Sequence, residues 1–498
     1  MSSKNLFVRK LSGNGGARRL FALCAFGLAT SLSLSAQEMK TTFSVEDISA
    51  WKGQPLVKSS ERIAGYRGIW FALGFKFPYV DKNSGGLGTY TATHQPMAVY
   101  SPVANKTFFT YGGTPSAGKR QLAIMVSYFD HATGQMPRPV ILYLDPAVDD
   151  PHDNACLQID KDGYIWVFKS GRGVKRPGLI FRSEKPYSID AFACVAVQEF
   201  TYPQVWYDAR KGFLMLFAKY KFFDKGGPER DLYWKTSSDG RKWSRDHALA
   251  EFEGHYQTSG QHGQKIATFF NWHPGSENDR RTNVYYAQST DWGKTWTTAG
   301  GRPLKLPLTK PKNGARIADL HSQGKLMFTC DVNFDRAGNP ILLYVTSRAG
   351  EPGPKGDPRE WTVSHWKNGA WRTHVITTSG HNYDMGSLYV EDDRWLVIGP
   401  TGRKPQRHGT GGEMDLWVSK DEGQTWRKER AVTSRSAFNH SYARRPLAAK
   451  DPFFAFWADG HPNTMTNSRL FFTDSRSEHV WRLPYDMKGE FATPQRVR

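Results

Sequence analysis

The chain has 498 residues, 14% of them aromatic, and carries a formal net charge of +20 at pH 7. Its four cysteines form no Cys-x-x-Cys pattern, which argues against a zinc site. Cys156, Cys194 and Cys330 stand in apolar, strand-like contexts, which predicts small core residues more than a disulfide framework and leaves one bridge open. Beyond the N-terminus no segment is apolar over the length that a membrane span needs. The basic residues are scattered, without the clustering that marks a nucleic-acid-binding motif.

The first 36 residues have the features of an export signal. Five basic residues precede the apolar run LFALCAFGLA, and the segment ends in Ser-Leu-Ser-Ala. We predict cleavage after Ala36, which leaves 37–498 as a single propeller domain and lowers the formal charge from +20 to +15 by removing those five residues. The mature protein is expected in the periplasm or the medium of a bacterium. The Arg18-Arg19 pair leaves the choice between Sec and twin-arginine export open.

A recurring pattern predicts the fold of the mature chain. Each copy begins with His or Tyr, continues with Pro or a small polar residue, and enters an apolar, strand-like run. Neighbouring copies lie roughly 50 to 66 residues apart, a period typical of propeller blades. We therefore predict an all-β, seven-bladed β-propeller in which equivalent positions converge on a central channel. The copies begin at His94, His152, Tyr202, His255, His321, His381 and His440.

A second pattern recurs in the same phase. Ser289–Trp296 and Ser419–Trp426 read Ser-x-Asp-x-Gly-x-Thr-Trp, and Ser237–Trp243 is a shortened copy. This pattern is called the Asp box or BNR motif. Its Ser and Asp form hydrogen bonds with the turn backbone, and its Gly takes a conformation that other residues avoid. Trp is expected to pack between blades. The motif indicates the fold, and we assign its aspartate to the turn.

Charge and residue types suggest the chemistry of the channel. A basic, exported protein favours an acidic polysaccharide over nucleic acid as its partner. Cleavage of a uronate-containing chain by β-elimination needs a cation at the carboxylate, a base near C5 and an acid at the leaving oxygen. His and Tyr suit the proton transfers, whereas Arg, Lys or protonated His suits the carboxylate.

Candidate residues follow from these requirements. The candidate catalytic residues are His94, His152, Tyr202 and Tyr207. The candidate substrate-binding residues are Arg172, Arg176, Lys219, His255, Tyr256, His381 and His440. No metal ligand set and no cofactor are assigned, and a structural calcium ion is neither indicated nor excluded.

Several segments resemble the BNR-4 group of exported propellers. They include THQPMAVYSPVANKTFFTYGG, DPHDNACLQIDKDGYIWVFKSGRGVKRPG, HNYDMGSLYVEDDRWLVIGPT and GTGGEMDLWVSKDEGQTW. This group contains ulvan lyases and enzymes that release rhamnose from rhamnosyl-glucuronate caps of gum arabic. The resemblance implies a seven-bladed propeller that acts where rhamnose is linked to a uronic acid.

The resemblance also implies roles for individual residues. In ulvan lyases a His of an HxN-type inner strand acts with a second His about twenty residues later. His152 in HDN matches the first of these, whereas Arg172 or Gly173 stands at the second. His94 in THQP is similar to an essential first-blade His of the rhamnosyl-glucuronate enzymes.

A Tyr and an Arg one blade later complete the ulvan lyase set. Tyr202 or Tyr207 matches the Tyr, and Lys219 or Lys221 stands in place of the Arg. Lysine keeps the charge but loses the bidentate fork of a guanidinium. These departures favour the rhamnose–glucuronate type over ulvan lyase.

We therefore predict an exported enzyme that cleaves a rhamnose–uronic acid linkage in an acidic polysaccharide by β-elimination. Two alternatives remain open. One is a glycoside hydrolase of the sialidase or α-L-rhamnosidase type, and the other is a non-catalytic carbohydrate-binding propeller.

Overall fold

The computed structural model describes residues 58–59, 61–72, 74, 76–144, 150–174, 176–221 and 229–498. The predicted signal peptide and its cleavage position lie outside these residues. Helical structure in the described part comprises three single-turn 3-10 helices, Pro151–Asp153, Pro274–Ser276 and Pro354–Gly356. No helix among the described residues has the length and apolarity needed to cross a bilayer.

Seven antiparallel blade sheets follow one another along the chain, five with four strands and two with a fifth strand at the outer edge, which confirms the predicted seven-bladed propeller. The strands of each blade, from the inner to the outer, have the following bounds in blades 1 to 4. Blade 1 has Ala98–Ser101, Lys106–Gly113, Ala123–Asp130 and Val140–Leu144, and blade 2 has Ala155–Ile159, Ile165–Lys169, Gly178–Ser183 and Phe192–Gln198. Blade 3 has Thr201–Asp208, Gly212–Lys221, Glu229–Ser237 and His247–Ala250, and blade 4 has Gln257–His262, Lys265–Trp272, Thr282–Ser289 and Arg316–Ala318.

Blades 5 to 7 repeat this order. Blade 5 has Leu326–Phe334, Pro340–Ser347, Arg359–Lys367 and Ala370–Ser379, and blade 6 has Ser387–Val390, Trp395–Gly399, Asp415–Ser419 and Arg427–Ala431. Blade 7 has Asn439–Arg444, Ala455–Gly460, Leu470–Thr473 and Val480–Arg482. Six short strands supplement the blades: Lys58–Ser59, Trp70–Phe71, Gly85–Gly86, Met136–Pro137, Phe491–Ala492 and Gln495–Arg496.

The predicted repeat marks the entrance of the inner strands. All seven copies lie at the start of an inner strand or within six residues before it. Six of them are buried, whereas the copy at His321 lies in a turn before the inner strand Leu326–Phe334 and is exposed.

The Asp boxes form the turns that follow third strands, as predicted. Ser289 donates from its hydroxyl to Asp291 at 2.8 Å, and the backbone N–H of Thr295 donates to Asp291 at 2.9 Å. Trp296 is buried with its ring 5.3 Å from that of Trp234 in the preceding blade. The aspartate is thus a turn residue, and the tryptophan joins two blades.

Apolar side chains fill the spaces between neighbouring sheets. Residues 213–218, FLMLFA, are all buried although they form one strand, because this strand is covered by a blade on each face. Cys156, Cys194 and Cys330 are buried and unbridged, which confirms their prediction as small core residues.

The C-terminal tail connects blade 7 to blade 1. Gln495–Arg496 pairs with the outer strand of blade 7, and Phe491–Ala492 pairs with Met136–Pro137 between the last two strands of blade 1. Since each blade is otherwise built from consecutive strands, this tail is one of the links that close the ring.

The segment 90–96 lies inside the ring and contacts the inner strands of four other blades. The N–H groups of Leu157 and Val205 donate to the carbonyls of residues 96 and 95, each at 2.8 Å. Arg444 donates to the carbonyl of Thr91 at 2.6 Å and to that of His94. The hydroxyl of Thr258 lies 3.5 Å from the carbonyl of residue 92. The segment is therefore held as part of the channel wall.

Asp331 joins three blades next to this segment. It is 3% exposed on the inner strand of blade 5, and both of its oxygens lie 3.2 Å from the guanidinium of Arg445 in blade 7. It also accepts the N–H of Leu388 in blade 6 at 2.9 Å.

We predict that Asp331→Ala destabilises the protein by about 3–5 kcal/mol, because it leaves a largely buried guanidinium without its partner. Urea unfolding followed by tryptophan fluorescence measures the change. Asp392→Ala, at an exposed position in blade 6, is the control and should shift stability by less than about 0.5 kcal/mol. Equal effects of the two substitutions would contradict the bridging role.

Candidate active site

One face of the propeller carries the loops that enter the inner strands and those that join second to third strands. These loops converge on the channel mouth, a narrow cavity with four phenols in its wall. Its lining residues are Tyr90, Thr91, Thr93, Tyr202, Tyr256, Arg281, Thr329, Tyr383 and Met385. The tyrosines come from the segment before blade 1 and from blades 3, 4 and 6, so the ring must close before they meet.

A carboxylate, an imidazole and a phenol form a chain at one side of the mouth. Nδ1 of His152 contacts the carboxylate of Asp150, and Nε2 lies 2.9 Å from the hydroxyl of Tyr90. Because Nδ1–H donates a hydrogen bond to the carboxylate, the unprotonated Nε2 accepts a hydrogen bond from the Tyr90 hydroxyl. Burial lowers the pKa of His152, and Asp150 only partly offsets this effect. The imidazole is therefore neutral at pH 7.

Two predicted substrate-binding arginines are engaged by the same carboxylate. Nη1 of Arg172 lies 2.8 Å and Nη2 of Arg176 3.1 Å from Oδ2 of Asp150. Arg176 also contacts the buried Asp153 at 3.0 Å. Burial would raise the pKa of Asp150, but His152 and the two arginines hold it well below its usual range. These arginines orient the chain that ends at Tyr90.

Two other arginines are buried without such partners. Arg230 and Arg281 are only 3% and 7% exposed, and neither has a carboxylate within ion-pair distance among the described residues. Arg281 donates to the Tyr383 hydroxyl at 2.6 Å, and Arg230 contacts the side-chain oxygen of Asn278. Because buried charges are normally paired, these two guanidinium groups form a candidate anion site, with Arg281 in the lining of the mouth.

Both arginines lie against one phenol ring. Their guanidinium carbons are 5.2 Å (Arg230) and 4.3 Å (Arg281) from the centre of the Tyr256 ring. Burial would raise the pKa of Tyr256, but the positive charges of Arg230, Arg281 and Arg172 outweigh it, and the pKa is lowered. The phenol is thus easier to ionise than an ordinary tyrosine.

The neighbouring phenols behave in the opposite way. Burial raises the pKa of Tyr90 and Tyr202 well above the usual value. The ring of Tyr202 lies 5.6 Å from that of Tyr256. Groups whose environments separate their pKa values in this manner are suited to serve as base and acid in one reaction.

His94 is buried beside this cluster with both ring nitrogens engaged by the backbone. Nε2 lies 3.1 Å from the carbonyl of His152, and Nδ1 accepts the N–H of Thr91 at 3.3 Å. Burial, with Arg444 and His152, lowers its pKa to about 3. Its ring, 5.6 Å from that of Tyr202, holds the inner segment in place as a neutral group.

Three predicted site residues lie away from the mouth. Tyr207 is near the far end of its inner strand, where its hydroxyl accepts the N–H of Lys161 at 3.1 Å. Lys219 is paired with Glu199 at 2.9 Å and with Asp246 at 3.2 Å. His255 packs 4.2 Å from the ring of Phe252 inside blade 4 and bonds the carbonyl of residue 271 at 2.7 Å.

Of the two remaining candidate histidines, His381 lies beside the mouth, whereas His440 lines a separate cavity in blade 7. Nδ1 of His381 accepts the N–H of Tyr383 at 3.1 Å and so helps to orient a mouth phenol. His440 accepts Nε1–H of Trp457 at 2.8 Å and contacts the Ser436 hydroxyl at 2.8 Å. Burial lowers the pKa of His440 to about 4. Both imidazoles are bound within the protein.

The structure adds Tyr90, Asp150, Arg230, Arg281 and Tyr383 to the predicted site. A sequence signal exists for some of them, since arginines stand within two residues of the start of third strands in five blades. They are Arg176, Arg230, Arg281, Arg359 and Arg469. These arginines mark the third strands, whereas the His-led repeat marks the inner strands, so the repeat does not reveal them.

Comparisons with known proteins agree with this architecture. Residues 116–379, more than half of the chain, match the model described as "BNR repeat-containing family member". The chain belongs to this family. A comparison with curated protein sequences gave no match.

Solved structures share the fold of this BNR repeat protein. A PL25 ulvan lyase bound to -[GlcA(1-4)Rha3S]- is similar with a TM-score of 0.63 and 16% identity, covering 80% of this chain and 96% of that one. A second structure described as a PL25 ulvan lyase matches at 15% identity with the same TM-score of 0.63 and the same coverage, 80% and 96%. A Trypanosoma rangeli sialidase reaches a TM-score of 0.36 at 12% identity, over 87% of this chain and 59% of its own. The lyase matches show a common propeller fold, and the sialidase match carries no argument.

We predict that Asp150→Asn destabilises the protein by about 3 kcal/mol at pH 7, since it removes the charge that pairs with Arg172 and Arg176. The pKa of Asp150 is depressed in the folded state. The wild-type advantage is therefore complete above the ordinary aspartate pKa of about 4 and shrinks as the pH falls below it. Urea unfolding between pH 7 and pH 3 measures this difference, with Asp393→Asn at an exposed position as the control. A pH-independent difference would contradict the assignment.

Proposed function

We propose that this protein is an exported enzyme that cleaves a rhamnose–uronic acid linkage of an acidic polysaccharide by β-elimination. The observation that carries the proposal is the pair of buried arginines at Tyr256, without carboxylate partners among the described residues. A uronate carboxylate is an anion that two guanidinium groups can bind and neutralise. Export is supported by the signal-like N-terminus alone.

The proposed reaction begins with the carboxylate at Arg230 and Arg281. Its neutralisation makes the C5 proton acidic, because the two cations stabilise the enolate that develops when that proton leaves. Tyr256, whose pKa is lowered, takes the C5 proton in its ionised form. The electron pair forms a C4=C5 double bond, and the C4–O bond breaks.

Tyr202 is the proposed acid for the leaving oxygen. Its raised pKa keeps its proton in place until the oxygen develops negative charge. After the reaction Tyr256 carries an extra proton and Tyr202 lacks one. Since their rings are 5.6 Å apart, one proton transfer between neighbouring phenols restores the starting state.

His152 and His94 take supporting roles in this proposal. Asp150 and His152 hold the Tyr90 hydroxyl at the wall of the mouth, where it can bind a sugar hydroxyl. His94 fixes the segment that carries Tyr90. His152 is thus a positioning residue, and so is His94.

Phenols, hydroxyls and a guanidinium line the mouth, which favours elimination over the double-carboxylate chemistry of most glycosidases. The rhamnose–uronate part of the proposal has separate support. It rests on the resemblance to BNR-4 enzymes and on the similar ulvan lyase structure that holds GlcA linked to sulfated rhamnose.

We predict that Tyr256→Phe lowers the rate of cleavage by about 100-fold or more, since it removes the proposed base. Release of unsaturated uronate from ulvan and from gum arabic arabinogalactan, followed by ultraviolet absorbance, measures the rate. Tyr207→Phe, at the far end of its strand, is the matched control and should keep wild-type activity. Saturated sugars as sole products would exclude elimination. A wild type that binds these polymers without shortening them would identify a carbohydrate-binding protein.

Two substitutions of Arg281 distinguish the contribution of its charge from that of its forked guanidinium group. We predict that Arg281→Ala lowers kcat/KM by about 100-fold or more, because one of the two cations at the carboxylate is lost. Arg281→Lys should recover part of this loss, since it keeps the charge but not the fork of the guanidinium. A lysine variant that is no better than alanine would argue against carboxylate neutralisation at this residue.

A further inference from the structure

Blade 7 carries a second cavity, of about 540 Å3, on its outer part. Its wall is formed by the loop 432–438 between blades 6 and 7, by the third and outer strands of blade 7, and by the last two residues of the chain. We call it the blade 7 cleft. None of its lining residues belongs to the channel mouth.

Four arginines line the blade 7 cleft: Arg435, Arg469, Arg482 and Arg498. None of them has a carboxylate within ion-pair distance among the described residues. Arg172 and Arg176, by contrast, are matched by Asp150. Four unmatched guanidinium groups around one cavity create a positive potential that attracts an anion.

The remaining polar groups of the cleft hold the arginines in place, and its one lining carboxyl side chain, Asp459, can balance only part of their four positive charges. Arg482 contacts the side-chain oxygen of Gln495, and Nη1 of Arg498 donates to the carbonyl of Val432 at 2.9 Å. Asp459 is the acidic residue in the lining; it is 6% exposed and accepts the N–H of Arg469 at 2.7 Å. Burial raises its pKa to about 7.

The position of Arg469 relates the cleft to the channel mouth. Arg469 directly precedes the third strand of blade 7, as Arg281 directly precedes that of blade 4. Since third strands begin on the same face of every blade, Arg469 lies on the face that carries the mouth.

The cleft also offers apolar surface. The rings of Phe438 and Phe471 lie in its wall beside the arginines. Guanidinium groups next to aromatic rings suit an acidic sugar, whose carboxylate or sulfate takes the charge while its C–H face packs on a ring.

We propose that the blade 7 cleft is a second binding subsite for an acidic polysaccharide, taking a carboxylate or sulfate group of a sugar remote from the cleaved bond. The identity of the polymer rests on the proposed function, whereas the anion site rests on the four arginines. The subsite would increase affinity for long chains and leave the chemistry at Tyr256 unchanged.

The test compares two double variants of equal charge. R469Q/R482Q removes two cations from the cleft, and R302Q/R336Q removes two from exposed positions in other blades. Affinity electrophoresis in gels that contain ulvan or polygalacturonate measures binding, with dextran as the neutral polymer. We expect the cleft variant to bind each acidic polymer about tenfold more weakly and the control less than about twofold.

Kinetics distinguish this subsite from the channel mouth. The cleft variant should raise KM for the polymer but keep wild-type kcat/KM on the shortest oligosaccharide that is cleaved. Equal binding by the two double variants would overturn the proposal, and so would tighter, cleft-dependent binding of double-stranded DNA than of ulvan. If R469Q/R482Q fails to fold, R435Q at an exposed loop position decides the question by the same measurement. A wild type that binds but does not cleave would refute the proposed function alone.

Discussion

The contact between Arg444 and the backbone of residues 91 and 94 is the interaction on which the site depends. A segment inside the ring exposes peptide carbonyls to a dry interior, where each needs a hydrogen-bond donor. Arg444 supplies two of these bonds, and although burial lowers its pKa to about 10, it remains charged at neutral pH. The same segment carries Tyr90 and His94. The contact that holds this segment inside the channel therefore also positions Tyr90 at the mouth.

The arginines of this face fall into two physical classes. Arg172 and Arg176 are matched by Asp150, so their charge is used within the protein to hold His152 and Tyr90. Arg230 and Arg281 are more deeply buried and have no carboxylate partner among the described residues. Burial disfavours the charged form of such groups, but the nearby tyrosines outweigh burial and the pKa of each arginine is raised. Both therefore stay charged, and in the proposed function the substrate carboxylate pairs with them.

Adjacent residues show why the histidine repeat identified blades better than it identified site residues. His255 and Tyr256 are neighbours, yet His255 packs inside blade 4 while Tyr256 faces the mouth. Both stand directly before the inner strand that begins at Gln257, where a difference of one position decides between core and channel. His152 contacts the mouth phenol Tyr90 from the 3-10 turn Pro151–Asp153, which precedes the inner strand of blade 2. Tyr207 does not, because it lies five residues along the strand from Tyr202.

By itself the sequence determined the seven blades and the Asp-box turns, because their signals are local and recur with a fixed period. It also indicated an anionic partner through its net charge. Only the tertiary structure decided which cations remain without partners and which phenols meet. Tyr90, Tyr202, Tyr256 and Tyr383 come from four parts of the ring, and Arg281 of blade 4 reaches the hydroxyl of Tyr383 at the entrance of blade 6. The pairing of charges and the burial of side chains arise only when the ring closes, so neither can be predicted from a single segment of the chain.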